Sequence, residues 1–102
     1  MKFQEHCEES IRLFGKPFEE VHRWLDAYAQ LIDENGVIHF NAHHRKHRHH
    51  LAGANEILET MGRAAYEAAI MHIKSDLQSG GGLVEGEDLP KDEKDYIKKG
   101  FF

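Results

Sequence analysis

Residues 43–61 read HHRKHRHHLAGANEILETM, and this stretch decides how the chain is expected to fold. Its first eight positions contain five of the nine histidines of the chain, interleaved with three cations. Its second half carries apolar residues at helical spacing. The pattern predicts one long helix over residues 42–61, which presents histidines in its first half and packs on a core with its second half.

A projection of this helix at about 100° per residue separates the histidines into two sets. One set continues the apolar face and is expected to point inward: His43, His44, His47 and His50. Arg45 and His49 project the other way, next to Gly53. Because small residues let a second helix approach closely, Arg45, His49 and Gly53 are predicted to form a surface for a partner, which includes a second copy of the chain.

Apolar periodicity predicts three further main helices and a short C-terminal helix. Their expected positions are residues 3–14, 17–32, 63–77 and 91–99. The stretch 37–40 is apolar and β-branched, and it is interpreted as an extended approach packed on the core. The predicted fold is therefore all-α, a compact bundle of four main helices plus a short C-terminal one, in a single domain over residues 1–102.

Composition narrows the classes of function. The formal net charge is -5, which argues against coating of nucleic acid because most of the surface would repel phosphates. Cys7 is the sole cysteine, so no disulfide can form within the chain, and a reducing cytoplasmic location is expected. No apolar run reaches the roughly 18 residues that a membrane helix needs, so no membrane association is expected.

Two pairs of residues have the spacing His-x-x-x-Asp, namely His22 with Asp26 and His72 with Asp76. In a helix this spacing places a carboxylate one turn from an imidazole, where it can orient the ring of a metal ligand or a general base. The histidines of residues 43–50 crowd against cations, which favours neutral imidazole, the form that binds metals. A transition-metal site made of several histidines and a carboxylate is therefore chemically available.

Two other uses of the histidine-rich stretch remain open from the sequence. The first is a polar histidine network without metal inside a non-enzymatic interaction module. The second is an anion site built from Arg45, Lys46 and Arg48. No His-Glu-x-x-His motif, nucleophile motif or phosphate-binding loop is present, so the sequence decides neither for nor against an enzyme.

Several short motifs together resemble a family of small bacterial and phage proteins of uncharacterised function. They are His6 with Glu9-Ser10 and Phe14-Gly15, His22-x-Trp24-Leu25-Asp26, His44-Arg45-x-x-Arg48-His49-His50-x-x-Gly53, His72-x-x-x-Asp76-Leu77, Leu89-Pro90 and Asp95-Tyr96-Ile97. The resemblance covers most of the chain and implies no activity. It implies that the following residues act together: His6, His22, His44, His49, His50, His72 and Asp76.

The combined hypothesis is a metal-binding protein, with a metal-dependent hydrolase as one form of it. The predicted ligands are His6, His22, His44, His50, His72 and Asp76. Asp26 and Arg48 are expected to support them, with Asp26 orienting His22. Zinc is the first choice, with iron, nickel and manganese open. The alternative is a metal-free helical homodimer, and His39, His43 and His47 receive no assigned role.

Overall fold

The computed structural model describes residues 2–41 and 43–101, including all of their side chains except that of Leu31. Its helices are α1 (Phe3–Phe14), α2 (Glu19–Leu25), α3 (Arg45–Arg48), α4 (Leu51–Met61), α5 (Arg63–Asp76) and α6 (Glu93–Lys98). Two short strands, β1 (Gln30–Ile32) and β2 (Ile38–Phe40), form an antiparallel hairpin. The predicted all-α class is confirmed. None of these helices is long and apolar enough to cross a lipid bilayer.

Helices α1 and α5 have the bounds that apolar periodicity predicts, to within a residue. Gly15 ends α1 in the left-handed conformation, with φ of 79°, and donates its N–H to the Ile11 carbonyl 2.9 Å away. Gly62, at φ 93°, separates α4 from α5. Both positions have a positive φ, which glycine adopts without strain, so the two glycines end the helices where the sequence indicates.

The second predicted helix is shorter than its apolar pattern indicates. Phe18 takes a left-handed φ of 52°, so α2 starts at Glu19 instead of Pro17. After Leu25 the chain tightens into a 3-10 turn over Ala27–Ala29 and enters β1. The pairing of β1 with β2 satisfies backbone groups that a longer helix would have satisfied internally. The interpretation of residues 37–40 as packed on the core is wrong, because β2 is exposed.

The long helix predicted over residues 42–61 is two helices, α3 and α4, separated by a turn at His49 and His50. His50 is extended and caps α4, since its Nδ1 accepts the Gly53 N–H at 3.1 Å. The next two N–H groups, of Leu51 and Ala52, donate to carbonyls near Pro90 at 2.9 Å each. The N–H groups at the start of α4 are therefore satisfied by the His50 side chain and by a loop that is distant in sequence, instead of by a preceding turn of helix. Ala42 lies outside the described residues.

The core forms where α2, α4 and α5 meet, because their apolar faces are buried together. Its buried members are Val21, Leu25, Ala54, Ile57, Ala65, Ala68, Ala69, Ile73, Leu77, Leu83 and Tyr96. The alanines of α5 let α4 lie close to it. Phe101, near the C-terminal end of the described residues, packs on Tyr96 with ring centroids 5.7 Å apart. Phe102 lies outside the described residues.

Candidate metal centre

Six titratable side chains from four parts of the chain meet beside the core. They are His6 of α1, His22 and Asp26 at the end of α2, His49 of the turn after α3, and His72 and Asp76 of α5. We call this set the His/Asp centre. Five of its members are buried, and Asp26 is 24% exposed. Ionisable groups are rarely buried together unless each has a partner, so the contacts among them define what the centre can do.

Four donor atoms of the centre converge on one point. The Nε2 atoms of His49 and His72 are 3.1 Å apart. Asp76 Oδ2 lies 2.9 Å from His49 Nε2 and 3.2 Å from His72 Nε2. Asp26 Oδ1 lies 3.4 Å from each of the same two nitrogens. Two imidazole nitrogens and two carboxylate oxygens therefore form a cluster with five known edges of similar length.

These separations match the ligand shell of a small transition metal. Zinc is bound by imidazole nitrogen and carboxylate oxygen at about 2.0–2.1 Å in tetrahedral geometry, which places the ligand atoms about 3.3–3.4 Å from one another. The five measured edges run from 2.9 to 3.4 Å. A slight expansion of the cluster would therefore admit an ion without rearrangement of the helices.

His6 lies against His72 instead of beside it. The two rings stack with centroids 3.6 Å apart and planes at 15°. Because the lone pair of an imidazole lies in its ring plane, the two stacked rings would have to turn before both could direct lone pairs at one ion. His6 Nε2 instead donates to Asp76 Oδ1 at 3.0 Å. The predicted ligand His6 is thus placed to hold Asp76 in position.

His22 also occupies the layer behind the four donor atoms. Its Nδ1 lies 2.7 Å from His72 Nδ1, and its Nε2 lies 2.8 Å from Ser10 Oγ. When His72 carries hydrogen on Nδ1, it donates to His22 Nδ1, and its own Nε2 faces the cluster. Rings that bind metals are commonly oriented by such a bond on the second nitrogen. The expected contact between Asp26 and His22 is replaced by contacts of Asp26 with His44, His49 and His72.

His44 stands at the rim of the centre. Its Nδ1 lies 3.0 Å from the Asn41 carbonyl oxygen. Its Nε2 forms a hydrogen bond with Asp26 Oδ1 at 3.3 Å. A cation between these two atoms would take the place of the hydrogen. Asp26, His44 and His49 are close enough together to hold an ion, which keeps the predicted ligand His44 as a further donor.

The turn after α3 reverses the predicted roles of His49 and His50. His49 was expected on an exposed partner surface, yet it is fully buried in the centre, and that expectation is wrong. His50 was expected to be a ligand, but its Nε2 donates to the His47 carbonyl at 3.0 Å and its Nδ1 caps α4. Both ring nitrogens of His50 are therefore already bonded to backbone. The projection failed because it assumed one continuous helix.

The rest of the predicted partner surface is also turned inward. Gly53 is buried, and a Cβ added there would lie 2.2 Å from the Arg48 carbonyl oxygen. Arg45 donates from Nη1 to the Asp76 carbonyl at 3.2 Å, and its Nη2 lies 3.6 Å from Asp76 Oδ1. Arg45 thus balances the charge of a carboxylate of the centre.

Arg48 supports the centre from outside it. Its guanidinium lies 3.9 Å from the centroid of the Trp24 ring and 4.9 Å from that of Tyr28. Its Nη1 donates to the Trp24 carbonyl at 2.7 Å. Stacking and this hydrogen bond join α3 to the end of α2. Arg48 therefore helps to hold together the two segments that carry Asp26 and His49.

The contacts within the centre keep its carboxylates ionised. Burial by itself would raise the pKa of Asp76, but bonds from His49, His6 and His72 hold that pKa far below its ordinary value. Burial would also raise the pKa of Asp26, but bonds from His44 and His72 outweigh this effect and lower that pKa strongly. Both groups are anions at neutral pH, and Arg45 balances one of the two charges.

The histidines of the centre differ in their preference for charge. Burial lowers the pKa of His49 to about 4, and burial with the charges of His72 and His6 lowers the pKa of His22 to about 4. Burial also disfavours charge on His72, yet its bonds to Asp26 and Asp76 raise its pKa. At neutral pH His49 and His22 are therefore neutral, which is the form that binds a metal or accepts a hydrogen bond.

Two buried nitrogens, His6 Nδ1 and His49 Nδ1, have no hydrogen-bond partner among the described residues. Without an ion, each ring carries its hydrogen on Nε2 and donates it to Asp76, so that Nδ1 is left as an acceptor and not as an unpaired donor. An ion on His49 Nε2 would move the hydrogen to Nδ1, at a cost of about 1–3 kcal/mol for an unpaired buried donor. The affinity of structural zinc in small proteins is about 10–16 kcal/mol, which exceeds that cost.

No family model, curated protein or solved structure matches this chain. The resemblance to small bacterial and phage proteins therefore stays a prediction. Of the predicted metal ligands, the structure brings His72 and Asp76 to the point of convergence, with His6 and His22 behind them and His44 at the rim. Sequence reasoning missed His49 and Asp26 as metal donors, because the break before α4 depends on contacts that are distant in sequence.

Proposed function

We propose that this protein binds one transition-metal ion at the His/Asp centre. The proposed ligands are His49 Nε2, His72 Nε2, Asp26 Oδ1 and Asp76 Oδ2. The observation that carries the proposal is the close spacing of these four atoms, 2.9–3.4 Å along five edges, inside a largely buried site. Buried His and Asp groups close enough to hold an ion support it independently of the choice of ligands.

The charge of the cluster supports a cation as its occupant. Asp26 and Asp76 contribute two negative charges, and the Arg45 guanidinium offsets one. Burying the remaining charge without a counter-ion is costly. In the ion-free chain a proton shared with His72 balances this charge. A divalent ion would replace that proton and contact both carboxylates directly, so the two anionic groups favour a cation at this position.

The donor atoms indicate which ion binds. Two imidazoles and two carboxylates suit zinc, iron(II), manganese, cobalt and nickel, and no thiolate is present to favour copper(I). Cys7 is buried on α1 and is not among the residues whose atoms meet in the centre. Zinc is proposed first because it accepts tetrahedral geometry and binds more tightly than iron or manganese at such sites.

Metal analysis of protein purified without an affinity tag tests the proposal. We expect close to one equivalent of metal after dialysis against zinc, and at least about a hundredfold loss of zinc affinity in His49→Gln and in Asp76→Asn. The matched controls are His39→Gln and Asp33→Asn, because these residues form an exposed His–Asp pair at 2.8 Å outside the centre. Equal zinc binding by all four variants and the wild type would refute the proposed site.

A homodimer is a second candidate property, favoured by the exposed hairpin. The side chains of Ile32 and Phe40 are 71% and 81% exposed, and Val37 and Ile38 are more than half exposed. An isolated two-stranded hairpin is marginally stable in water, so pairing with the hairpin of a second copy would stabilise it. Sedimentation velocity of the wild type and of a double variant, Ile32→Thr with Phe40→Thr, tests this. A monomeric wild type rejects it.

A further inference from the structure

Asp26 is the most exposed member of the His/Asp centre. His49, His72 and Asp76 are buried, whereas Asp26 is reached by solvent. A metal site that serves only structure is closed by protein ligands, whereas a site that acts on a small molecule keeps an accessible coordination position. The exposure of Asp26 therefore identifies the edge at which a further ligand could reach an ion.

A surface cavity of about 450 Å³ lies against that edge. It runs between the start of α1 and the turn that leads into β1, and both His22 and Asp26 border it. Cavities of about 300–1,000 Å³ are typical of small-molecule sites. The cavity is thus large enough for a small organic molecule that touches the ion with one end.

The walls of the cavity indicate the chemistry of such a molecule. Arg23 is the cation among them, and its guanidinium lies 5.2 Å from the Phe3 ring centroid. Its partner Glu19, 3.1 Å away, is exposed, so Arg23 can exchange this contact for one with a ligand at small cost. Phe3, Ala27 and Ile32 supply apolar walls. An oxyanion next to an apolar body fits this lining.

Asp26 makes binding of that oxyanion depend on the ion. A bare carboxylate in the lining of the cavity repels an anion, and a divalent cation bound to it reverses the local charge. Arg23 alone is exposed and attracts an anion only weakly. Anion binding in the loaded protein and none in the ion-free protein is therefore a distinctive consequence of this arrangement.

We propose that the ion in the His/Asp centre expands from its four protein ligands to a fifth, exchangeable coordination position towards this cavity, and that the cavity binds a small molecule carrying an oxyanion beside an apolar group. The inference rests on the proposed metal site. Arg23 pairs with the oxyanion, and Phe3, Ala27 and Ile32 contact the apolar group. Arg23 does not contact the centre itself, so its substitution leaves the four proposed metal ligands intact.

Cobalt(II) is the probe of the coordination position, because its visible absorption reports the number of ligands. Inorganic phosphate and phenyl phosphate are the two ligands tested. We expect each to change the spectrum of the cobalt-loaded protein, with phenyl phosphate binding at least about fivefold more tightly, a difference of about 1 kcal/mol from burial of the ring. Calorimetry is expected to detect neither ligand with the ion-free protein.

Arg23→Gln separates the cavity from the metal site. We expect it to weaken phenyl phosphate binding by about tenfold and to leave cobalt affinity unchanged. Arg12→Gln is the matched control, since Arg12 also lies on an exposed helical surface but does not line this cavity. Loss of binding in both variants, or in neither, would overturn the role given to the cavity.

The outcomes separate this inference from the proposed function. Cobalt absorption that neither ligand changes, at concentrations well above a weak Kd of about 1 mM, overturns the inference and leaves the metal site standing. Absence of cobalt binding overturns both. Equal affinity for the two phosphates overturns the assignment of the apolar walls.

Discussion

The His/Asp centre contains two kinds of residue, those that face the point of convergence and those that hold them in place. His49 directs Nε2 at that point, whereas His22 contacts His72 from behind. Loss of a residue that orients a ligand reduces metal affinity by about 10–100-fold, and loss of a ligand reduces it further. The two histidines, equally buried, therefore have different predicted consequences.

We expect His22→Gln to lower zinc affinity by about 10–100-fold and His49→Gln to lower it by more. Competition with a chromophoric chelator measures both affinities, and far-UV circular dichroism checks that both variants fold. A larger loss in His22→Gln would contradict the assignment. It would place the ion among His6, His22 and His72, which also lie close enough together to hold one.

Tyr96 links single-residue chemistry to stability at high pH. Burial raises the pKa of its hydroxyl from 10.0 to about 12, and that hydroxyl has no partner among the described residues. Between these two pKa values the unfolded chain releases a proton that the folded chain keeps. The contribution to stability is therefore fully present below pH 10 and is lost as the pH rises through about 12.

We expect Tyr96→Phe to stabilise the protein by about 1 kcal/mol at pH 7, because it removes an unpaired buried hydroxyl. Above pH 10, the free energy of unfolding of the variant should fall less steeply with pH than that of the wild type. Urea unfolding at pH 7, 10 and 11 measures both effects. The control is Tyr28→Phe at an exposed tyrosine, and destabilisation by Tyr96→Phe would show that the hydroxyl has a partner.

Among the structural elements, the turn between α3 and α4 determines which histidine enters the centre. It turns His49 inward and leaves His50 to cap α4. The turn needs Gly53, because the Arg48 carbonyl oxygen occupies the position of any Cβ there. A single glycine on α4 therefore controls where a histidine before α4 points.

We expect Gly53→Ala to destabilise the protein by at least about 2 kcal/mol and to weaken metal binding, because a contact of 2.2 Å forces the turn to shift. Gly80→Ala is the matched control, since the nearest atom to its added Cβ is 3.9 Å away on the Arg45 side chain. It should be neutral or stabilising by up to about 1 kcal/mol. Denaturant unfolding of both variants measures the difference, and equal stability of the two would contradict the account of the turn.

The elements show what the sequence could predict. The bounds of α1 follow from apolar spacing and from Gly15, because both signals are local. The break before α4 depends on carbonyls near Pro90, which are distant in sequence, so no local pattern could reveal it. The hairpin was missed for the same reason, since each strand is three residues long and gains its bonds only from the other.

The sequence predicted most of the residues of the centre correctly, but it did not predict how they are arranged. The spacing His72-x-x-x-Asp76 lies within a helix, and its prediction of a shared face is confirmed by the 3.2 Å contact. His49 was assigned to the wrong face because the projection continued through the turn. Residues on uninterrupted helices could be placed from the sequence, whereas those next to a break could not.

At the scale of the whole molecule, metal binding at the proposed site is expected to be coupled to folding. The donors come from α2, α5 and the turn after α3, so the unfolded chain cannot bring them together. Zinc at about a thousand times its Kd should stabilise the fold by about 4 kcal/mol and raise Tm by at least about 10 °C. Differential scanning calorimetry with and without zinc measures this. An unchanged Tm would contradict the coupling. Asp33→Asn is the control, because Asp33 pairs with His39 outside the centre, and zinc should raise the Tm of this variant as much as that of the wild type.

Anomalous diffraction from crystals of the zinc-loaded protein, recorded on both sides of the zinc absorption edge, tests the central claim most directly. The account predicts one peak about 2.0–2.2 Å from His49 Nε2, His72 Nε2, Asp26 Oδ1 and Asp76 Oδ2. A zinc peak elsewhere, or no peak in the His/Asp centre of crystals grown with zinc, would contradict it.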